Sequence, residues 1–304
     1  MGKIAFLFSG QGAQYSGMGK ELYESNPAAR AVFTEAERQR PGTINQCFYG
    51  TKEELSQTIN TQPCLFAVDL ACAAALDDAG IKAEGAAGFS LGEVAALAYC
   101  SMLTFEEGFK LVQKRAEVMD ACARKYKGIM AAVLKLPDAV TENLCKEAGA
   151  WPVNYNCPGQ LVAAGTVEAV DRLSELVTQK GGRVMKLPVS GAFHSPFMKE
   201  ASAALLSYIS ELDLKQSRIP LYSNVTALPY EKNAGGLLSK QASSPVLWRE
   251  TIWNMISDGF DTFVEVGAGK TLSGLVRRIS EKVSVYNVEN PADLNAVKQA
   301  LIGG

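Results

Sequence analysis

One short stretch of the sequence is typical of a serine nucleophile. GFSLG, residues 88–92, matches G-x-S-x-G and lies between a short apolar run and a predicted helix. In that setting a strained strand-turn-helix lifts the serine hydroxyl clear of the backbone, and the helix N-terminus directs free N–H groups at an oxyanion. We therefore expect Ser90 to be a nucleophile. The pentapeptide alone is a weak signal, so a Gly-Ser turn without function is the alternative.

A serine nucleophile needs a base within hydrogen-bond reach. The chain has a single histidine, His194, in SGAFHSPFM at residues 190–198. If Ser90 reacts through a serine-histidine pair, His194 must be the base. The competing interpretation is an ordinary core or surface histidine without a catalytic role.

Arg115 is unusual among the charged residues of its predicted helix, which covers residues 104–125 and opens with a capping box. The other charged side chains lie together on one flank, whereas Arg115 lies on the opposite flank with Leu111, Val118 and Cys122. An arginine in apolar surroundings needs a carboxylate or phosphate partner. The sequence leaves open whether that partner is a substrate anion or an acidic residue in a structural ion pair.

Two glycine-rich stretches resemble nucleotide-binding loops without matching them. FSGQGAQ, residues 8–14, can offer backbone N–H groups to an anion, but Tyr15 stands where a dinucleotide-binding motif has its third glycine. VEVGAGKT, residues 264–271, has Val264 in place of the first glycine of a P-loop. We interpret the second stretch as a turn that opens a helix.

The bulk composition argues against several classes of function. The chain has 304 residues, 47% of them hydrophobic, and a formal net charge of −2, so nucleic acid is not an expected partner. The apolar opening KIAFLF is too short for a signal-peptide core, and we expect charges to interrupt every later apolar run before it reaches membrane-spanning length. Seven cysteines without a C-x-x-C pair, beside one histidine, argue against a zinc site and favour a reducing cytoplasm.

The elements around these residues predict an α/β protein with a mainly parallel sheet and an inserted unit. KIAFLF predicts a strand, residues 61–80 a helix, and residues 84–100 a strand, a turn and a helix. From 128 to 188 the pattern is β-α-β-β-α-β, which is typical of a ferredoxin-like subdomain. Alternation of strands and helices then resumes, with one helix starting at Ser244-Pro245 and another at Thr271. We therefore expect a large subdomain from 1–126 and 190–304, and a small one from 127–189.

Together the motifs closely resemble those of the malonyl-CoA:acyl carrier protein transacylases of fatty acid and polyketide synthesis. The resemblance covers essentially the whole chain. It rests on FLFSGQGAQYSGMGKEL, GFSLGEVAAL, QKRAEVMD, NYNCPGQLVAAG, GAFHSPFM, LYSNVTA, SSPVLW and FVEVGAGKTLSGL. The fold of that family, a hydrolase-like α/β core with a ferredoxin-like insertion, agrees with the pattern at 128–188.

The resemblance implies a role for each candidate residue. Ser90 attacks the malonyl thioester and becomes an O-malonyl ester, His194 transfers the proton to the departing thiol, and Arg115 binds the free malonyl carboxylate. The backbone amides of Gln11 and Leu91 form the oxyanion hole.

The resemblance also implies how the histidine is oriented and which acyl group is accepted. The main-chain carbonyl of Gln241 holds His194, so no third acidic residue is expected. A buried Arg115 that acetyl-CoA leaves unpaired rejects that donor. Phe193 is a bulky wall that favours malonyl over methylmalonyl groups. Phe89 departs from the family, in which many members have a histidine at this position.

The implied substrates are malonyl-CoA and phosphopantetheinylated acyl carrier protein, with no cofactor, metal or membrane. A basic patch at the mouth of the cleft would bind the acidic carrier. We expect a cytoplasmic, stand-alone monomer for fatty acid synthesis, with a discrete acyltransferase of a polyketide synthase as the variant. A serine thioesterase or esterase, and a non-catalytic carrier-binding protein, are the alternatives of other classes.

Overall fold

The structure, a computed structural model, describes residues 2–231 and 234–303. Its strands are β1 (Lys3–Phe8), β2 (Gly85–Gly88), β3 (Ile129–Leu134), β4 (Trp151–Cys157), β5 (Gln160–Gly165), β6 (Arg183–Lys186), β7 (Leu221–Tyr222), β8 (Phe260–Val266) and β9 (Ser284–Val288). Its α-helices are α1 (Lys20–Ser25), α2 (Pro27–Gln39), α3 (Thr43–Tyr49), α4 (Lys52–Ser56), α5 (Thr58–Asp78), α6 (Leu91–Tyr99), α7 (Phe105–Lys125), α8 (Asp138–Ala148), α9 (Val167–Gln179), α10 (Lys199–Ile209), α11 (Ala234–Gln241), α12 (Trp248–Ser257), α13 (Thr271–Ile279) and α14 (Pro291–Leu301).

The larger sheet is parallel, with strand order β7-β2-β1-β8-β9. Central strand β1 is apolar on both faces because helices cover both. Phe6 and Phe8 belong to one core cluster, which includes much of α5, whereas Ala5 and Leu7 belong to a second cluster with residues of α12 and α13. The register pairs Phe8 with Gly88 on β2 and with Val266 on β8. The loops that follow these three strands therefore meet at one edge of the sheet, where open α/β sheets bind ligands.

The smaller sheet is antiparallel, with strand order β4-β5-β3-β6. The chain order β3-α8-β4-β5-α9-β6 is the predicted β-α-β-β-α-β arrangement. Apolar residues of β3, α8 and α9, such as Val133, Leu144 and Leu173, form a separate small core. The α/β class with a ferredoxin-like insertion is thereby confirmed. The subdomain boundaries at 126/127 and 189/190 stay a prediction.

The start of α12 differs from the prediction. The sequence predicts a helix from Ser244-Pro245, but α12 begins at Trp248. The backbone before it pairs with β4 instead, because Val246 N–H donates to Val153 O at 2.8 Å and Tyr155 N–H donates to Val246 O at 2.9 Å. These two hydrogen bonds join the core to the smaller sheet.

Helix α5 corrects the expectation that no later apolar run reaches membrane-spanning length. Its 21 residues are long and apolar enough to cross a membrane by length and composition alone. Within the protein, 83% of its apolar window is buried. Burial on all sides is typical of the central helix of a globular core, and α5 packs between neighbouring helices beneath the parallel sheet.

Candidate active site

Ser90 lies in a strained turn between β2 and α6. Its φ of 55° and ψ of −105° place it in a region that non-glycine residues rarely occupy. The flanking glycines allow the turn to pack closely. A Cβ atom on Gly88 would lie 2.0 Å from the carbonyl carbon of Gly92, and one on Gly92 would lie 2.3 Å from Phe8 O. The G-x-S-x-G spacing is therefore required by backbone contact at both glycines.

Ser90 and His194 form a hydrogen-bonded pair. The distance from Ser90 Oγ to His194 Nε2 is 2.7 Å, and both residues are buried. His194 Nδ1 lies 2.9 Å from Gln241 O and 3.2 Å from Ser244 O. Carbonyl oxygens only accept hydrogen bonds, so Nδ1 carries the proton and Nε2 is the acceptor that faces the hydroxyl. This is the tautomer that a general base requires.

The charge state of His194 also suits a base. Burial, together with the nearby positive charge of Arg115, lowers the pKa of His194 to about 4. The imidazole is therefore neutral at physiological pH. The backbone of His194 has a positive φ of 60°, and its N–H donates to Ala242 O at 3.0 Å. Hydrogen bonds therefore fix both the imidazole ring and the main chain of this residue.

Arg115 reaches the nucleophile from α7. Its Nη2 donates to Ser90 Oγ at 3.0 Å and to Gln241 Oε1 at 2.8 Å, and its Nη1 donates to Gln62 Oε1 at 2.9 Å. Burial lowers the pKa of Arg115 to about 10, which leaves it charged at neutral pH. Within residues 2–231 and 234–303 no carboxylate lies within ion-pair distance of it. The structural ion pair that the sequence left open is thus absent from this part of the chain.

The backbone amides of Gln11 and Leu91 lie on either side of the turn. Leu91 is the first residue of α6, and Gln11 follows β1 in the loop packed against Phe89, where a Cβ atom on Gly10 would lie 2.6 Å from Phe89 O. Neither amide donates to another group in the described part of the chain. Two free N–H groups beside a nucleophile suit an oxyanion. Their role as an oxyanion hole stays a prediction.

A cleft of about 590 Å³ leads to this site between the two sheets. It is lined by the loop after β1, including Gln11, by Phe89, by the start of α13, and by residues of the smaller sheet. Asn154 and Asn156 of β4 lie on the wall of the cleft, and their buried Oδ1 atoms have no hydrogen-bond partner. The cleft therefore extends from a wall with unpaired acceptors, Asn154 and Asn156, to Phe89 beside the nucleophile.

Two phenylalanines differ in where the structure places them. Phe89 lines the cleft and packs edge-on against Trp248, with ring centroids 5.4 Å apart. Phe193 is buried in the core cluster and is not among the residues that line the cleft. Its proposed role as a wall against an α-methyl group stays a prediction.

Sequence analysis missed several buried polar residues that surround the site. Asn224 Oδ1 accepts from Ser90 N–H at 2.7 Å, Glu93 and Tyr230 hydrogen-bond with each other at 2.6 Å, and Gln62 contacts Arg115. Glu93 had a usable signal, because a glutamate within the apolar run LGEVAALA needs partners just as Arg115 does. Asn224 lies in LYSNVTA, one of the motifs that carry the resemblance, but no role was assigned to it. Gln62 and Tyr230 had no signal, because they lie far from Ser90 in the chain.

The cysteines and acidic residues do not add a second centre in residues 2–231 and 234–303. All seven cysteines are buried free thiols. No group of three or more histidine, cysteine, aspartate or glutamate side chains there is arranged to hold a metal ion. The arrangement at Ser90 is therefore the candidate active site. It suits acyl transfer through serine, for an acyl group that bears an anion.

Comparison with known proteins agrees with this chemistry. Residues 5–293 match the family described as acyl transferase domain. The malonyl CoA-acyl carrier protein transacylase of Bacillus subtilis is 39% identical over 99% of this chain and 98% of its own. The crystal structure of malonyl CoA-acyl carrier protein transacylase from Clostridium perfringens superposes with a TM-score of 0.95 at 35% identity, covering 99% of this chain and 97% of that one. A malonyl-transacylase solved in complex with a type II PKS acyl-carrier protein has a TM-score of 0.95 at 30% identity, with coverage of 98% and 99%.

Proposed function

The chain belongs to the acyl transferase family, and on that premise we propose that it moves the malonyl group of malonyl-CoA to the phosphopantetheine thiol of acyl carrier protein through an O-malonyl-serine intermediate. The relatives named above are malonyl CoA-acyl carrier protein transacylases that match nearly the whole chain. The observation that carries the proposal for this chain is the position of Arg115. Its guanidinium touches the nucleophile, and its partners among the described residues are neutral.

In the first half-reaction Ser90 Oγ attacks the thioester carbon as His194 Nε2 accepts its proton. The resulting imidazolium keeps its Nδ1–H on the carbonyls of Gln241 and Ser244. The backbone N–H groups of Gln11 and Leu91 stabilise the oxyanion. The tetrahedral adduct then collapses, the C–S bond breaks, and the CoA sulfur takes the proton from Nε2.

The second half-reaction reverses these steps with a new thiol. The phosphopantetheine thiol gives its proton to His194 Nε2 and attacks the serine ester, and Ser90 Oγ leaves with that proton. A transferase must keep water from the ester during the exchange. The burial of Ser90 and His194 supports this requirement.

Arg115 supports the choice of a malonyl donor. The malonyl carboxylate pairs with the guanidinium, whereas an acetyl group leaves the buried charge with neutral partners alone. Discrimination by such an unpaired polar group is strong, because a desolvated charge gains nothing from a methyl group. We also propose that malonyl is preferred over methylmalonyl, with Phe193 as the residue responsible.

The same relatives support the proposed carrier and pathway. One similar protein was solved with an acyl-carrier protein of a type II PKS, so a carrier domain is the proposed acceptor. We propose fatty acid synthesis in the cytoplasm as the pathway and a monomer that needs no cofactor beyond its substrates. A polyketide carrier is the alternative acceptor.

The test is a pulse of malonyl-CoA, or of acetyl-CoA, followed by rapid quenching and peptide mass spectrometry. We expect a malonyl adduct on the Ser90 peptide, little acetyl adduct, and transfer of the malonyl group when holo acyl carrier protein is added. Ser90→Ala is the matched control and should carry no adduct. An adduct lost to water without loading the carrier would identify a hydrolase, and the absence of any adduct would identify a non-catalytic protein.

A further inference from the structure

Glu93 is a buried carboxylate next to the nucleophile that the proposed reaction does not use. It lies on α6, three residues beyond Ser90, with no exposed surface, and it is not among the residues that line the cleft. Its Oε1 accepts from Asn224 N–H at 3.0 Å and from Tyr230 O–H at 2.6 Å, and its Oε2 accepts from Gln241 Nε2 at 2.5 Å. A fully buried carboxylate with three donors has a defined orientation.

The side chain of Gln241 connects Glu93 to the reacting groups. Its Nε2 donates to Ser90 O at 2.6 Å as well as to Glu93, and its Oε1 accepts from Arg115 Nη2 at 2.8 Å. A half-turn of the amide would exchange these two atoms. The NH2 group would then face the guanidinium, and two donors would oppose each other. The orientation of this one amide therefore decides whether Arg115 Nη2 keeps its hydrogen bond to Gln241 beside Ser90.

We propose that Glu93 is a positioning residue that fixes the Gln241 amide, and through it holds Arg115 in place to receive the acyl carboxylate. The inference rests on the transferase function proposed above, because it assigns Glu93 a part in selecting the malonyl group.

The chemistry at this position requires a carboxylate rather than an amide. Both oxygens of Glu93 accept, one toward Asn224 and Tyr230 and the other toward Gln241. A glutamine has a single acceptor. Whichever way it turned, its NH2 group would oppose either the N–H of Asn224 or the NH2 of Gln241. One of the two sides would lose its hydrogen bond.

The charge on Glu93 is present under working conditions. Burial raises its pKa to about 6, and the donors Tyr230, Asn224 and Gln241, together with the charge of Arg115, oppose that rise. The carboxylate is therefore ionised at neutral pH. Arg115 is the cation that contributes to its electrostatics from α7.

The experiment compares Glu93→Gln with Tyr230→Phe, using malonyl-CoA and acetyl-CoA as donors. For Glu93→Gln we expect kcat/KM with malonyl-CoA to fall roughly 10- to 100-fold, because Arg115 is displaced, and kcat/KM with acetyl-CoA to change about threefold or less. The malonyl-to-acetyl ratio therefore falls. Tyr230→Phe removes one donor to Oε1 but keeps the contact with Gln241, so its ratio should match the wild type.

Two results would overturn the proposal. An equal loss with both donors would mean that Glu93 supports the fold without acting on Arg115. A ratio lowered as far in Tyr230→Phe as in Glu93→Gln would mean that general loosening is responsible. Thermal unfolding of both variants accompanies the kinetics.

A second variant keeps the test decisive if Glu93→Gln does not fold. Gln241→Leu removes the amide itself, so the malonyl-to-acetyl ratio should fall in this variant too, and an unchanged ratio would overturn the proposal. Where both variants fold, the double variant should show no further loss of the ratio, because the two residues act in series. Failure of the proposed function is a separate result, since it would appear in the wild type as a missing malonyl adduct or as hydrolysis.

Discussion

Arg115 and Arg249 are both shielded from solvent, but Arg249 has carboxylate partners whereas Arg115 has neutral ones. Arg249 pairs with Asp138 of α8 and Glu250 of α12, and its side chain is 17% exposed. Burial acts to lower its pKa, yet the two carboxylates raise it overall. Arg115 is buried among amide and hydroxyl oxygens, and burial lowers its pKa to about 10. A cation already neutralised by carboxylates serves the fold, whereas one left with neutral partners is available to an anionic substrate.

Replacing Arg115 should give the largest effect on activity. In Arg115→Met we expect kcat/KM with malonyl-CoA to fall about 1,000-fold, since the substrate carboxylate loses its buried partner. Turnover of acetyl-CoA should fall less than tenfold, and the melting temperature should not decrease, because an unpaired buried charge has been removed. Steady-state kinetics with both donors and calorimetry measure these quantities. Equal losses with the two donors would contradict the assignment of Arg115 to the carboxylate.

Replacing Arg249 should show the reverse pattern. In Arg249→Met the free energy of unfolding should fall by about 2 kcal/mol, because two half-buried carboxylates lose their partner. Urea denaturation measures the loss. Turnover of malonyl-CoA should stay within about twofold of wild type, since stability and activity are carried by separate sites. A thousandfold loss of activity would show that the two arginines do not divide the roles in this way.

A smaller effect tests how the charge of Arg115 acts on the base. Burial, and after it the positive charge of Arg115, disfavours protonation of His194, and the pKa of this residue lies at about 4. Bound malonate neutralises that charge, so the pKa should rise by about one unit, toward its ordinary value. As the chain has one histidine, an NMR titration follows it without ambiguity. In Arg115→Met the pKa should already be raised, with no further change on adding malonate. A pKa that malonate leaves unchanged in the wild type would show that the charge does not reach the base.

The pH dependence of activity follows from the lowered pKa of His194. The neutral imidazole is the active form, so protonation of His194 lowers kcat/KM as pH falls through the pKa of that residue. With that pKa at about 4, protonation of His194 does not limit activity at neutral pH.

The residues that sequence reasoning identified share a local signal. Ser90 has glycines at fixed spacing, Arg115 is separated from the other charges of its helix, and His194 is the single histidine of the chain. Strand and helix periods likewise predicted the smaller sheet and most strands of the larger one, because the apolar faces they bury are continuous in the sequence. The edge strand β9 was not predicted. The small helices α3 and α4 were not predicted, since runs of five to seven residues carry too few turns to show a period.

The hydrogen-bonded surroundings of the site could not be predicted in this way. Asn224 and Tyr230 come from a segment more than 130 residues after Ser90 and Glu93, as their separations of 134 and 137 positions show. Such contacts depend on how strands are ordered in the sheet. The same is true of the start of α12, where pairing of Val246 with β4 replaces the first turn of the expected helix. The tertiary backbone contact outweighs the local capping signals at Ser244-Pro245.

The segment that pairs with β4 also carries the carbonyls that orient the base. Residues 241–247 offer the carbonyls of Gln241 and Ser244 to His194 Nδ1, and a few positions later Val246 is bonded to β4. β4 also presents Asn154 and Asn156 to the cleft. One short piece of backbone thus connects the wall of the cleft to the carbonyls that orient the ring of the base.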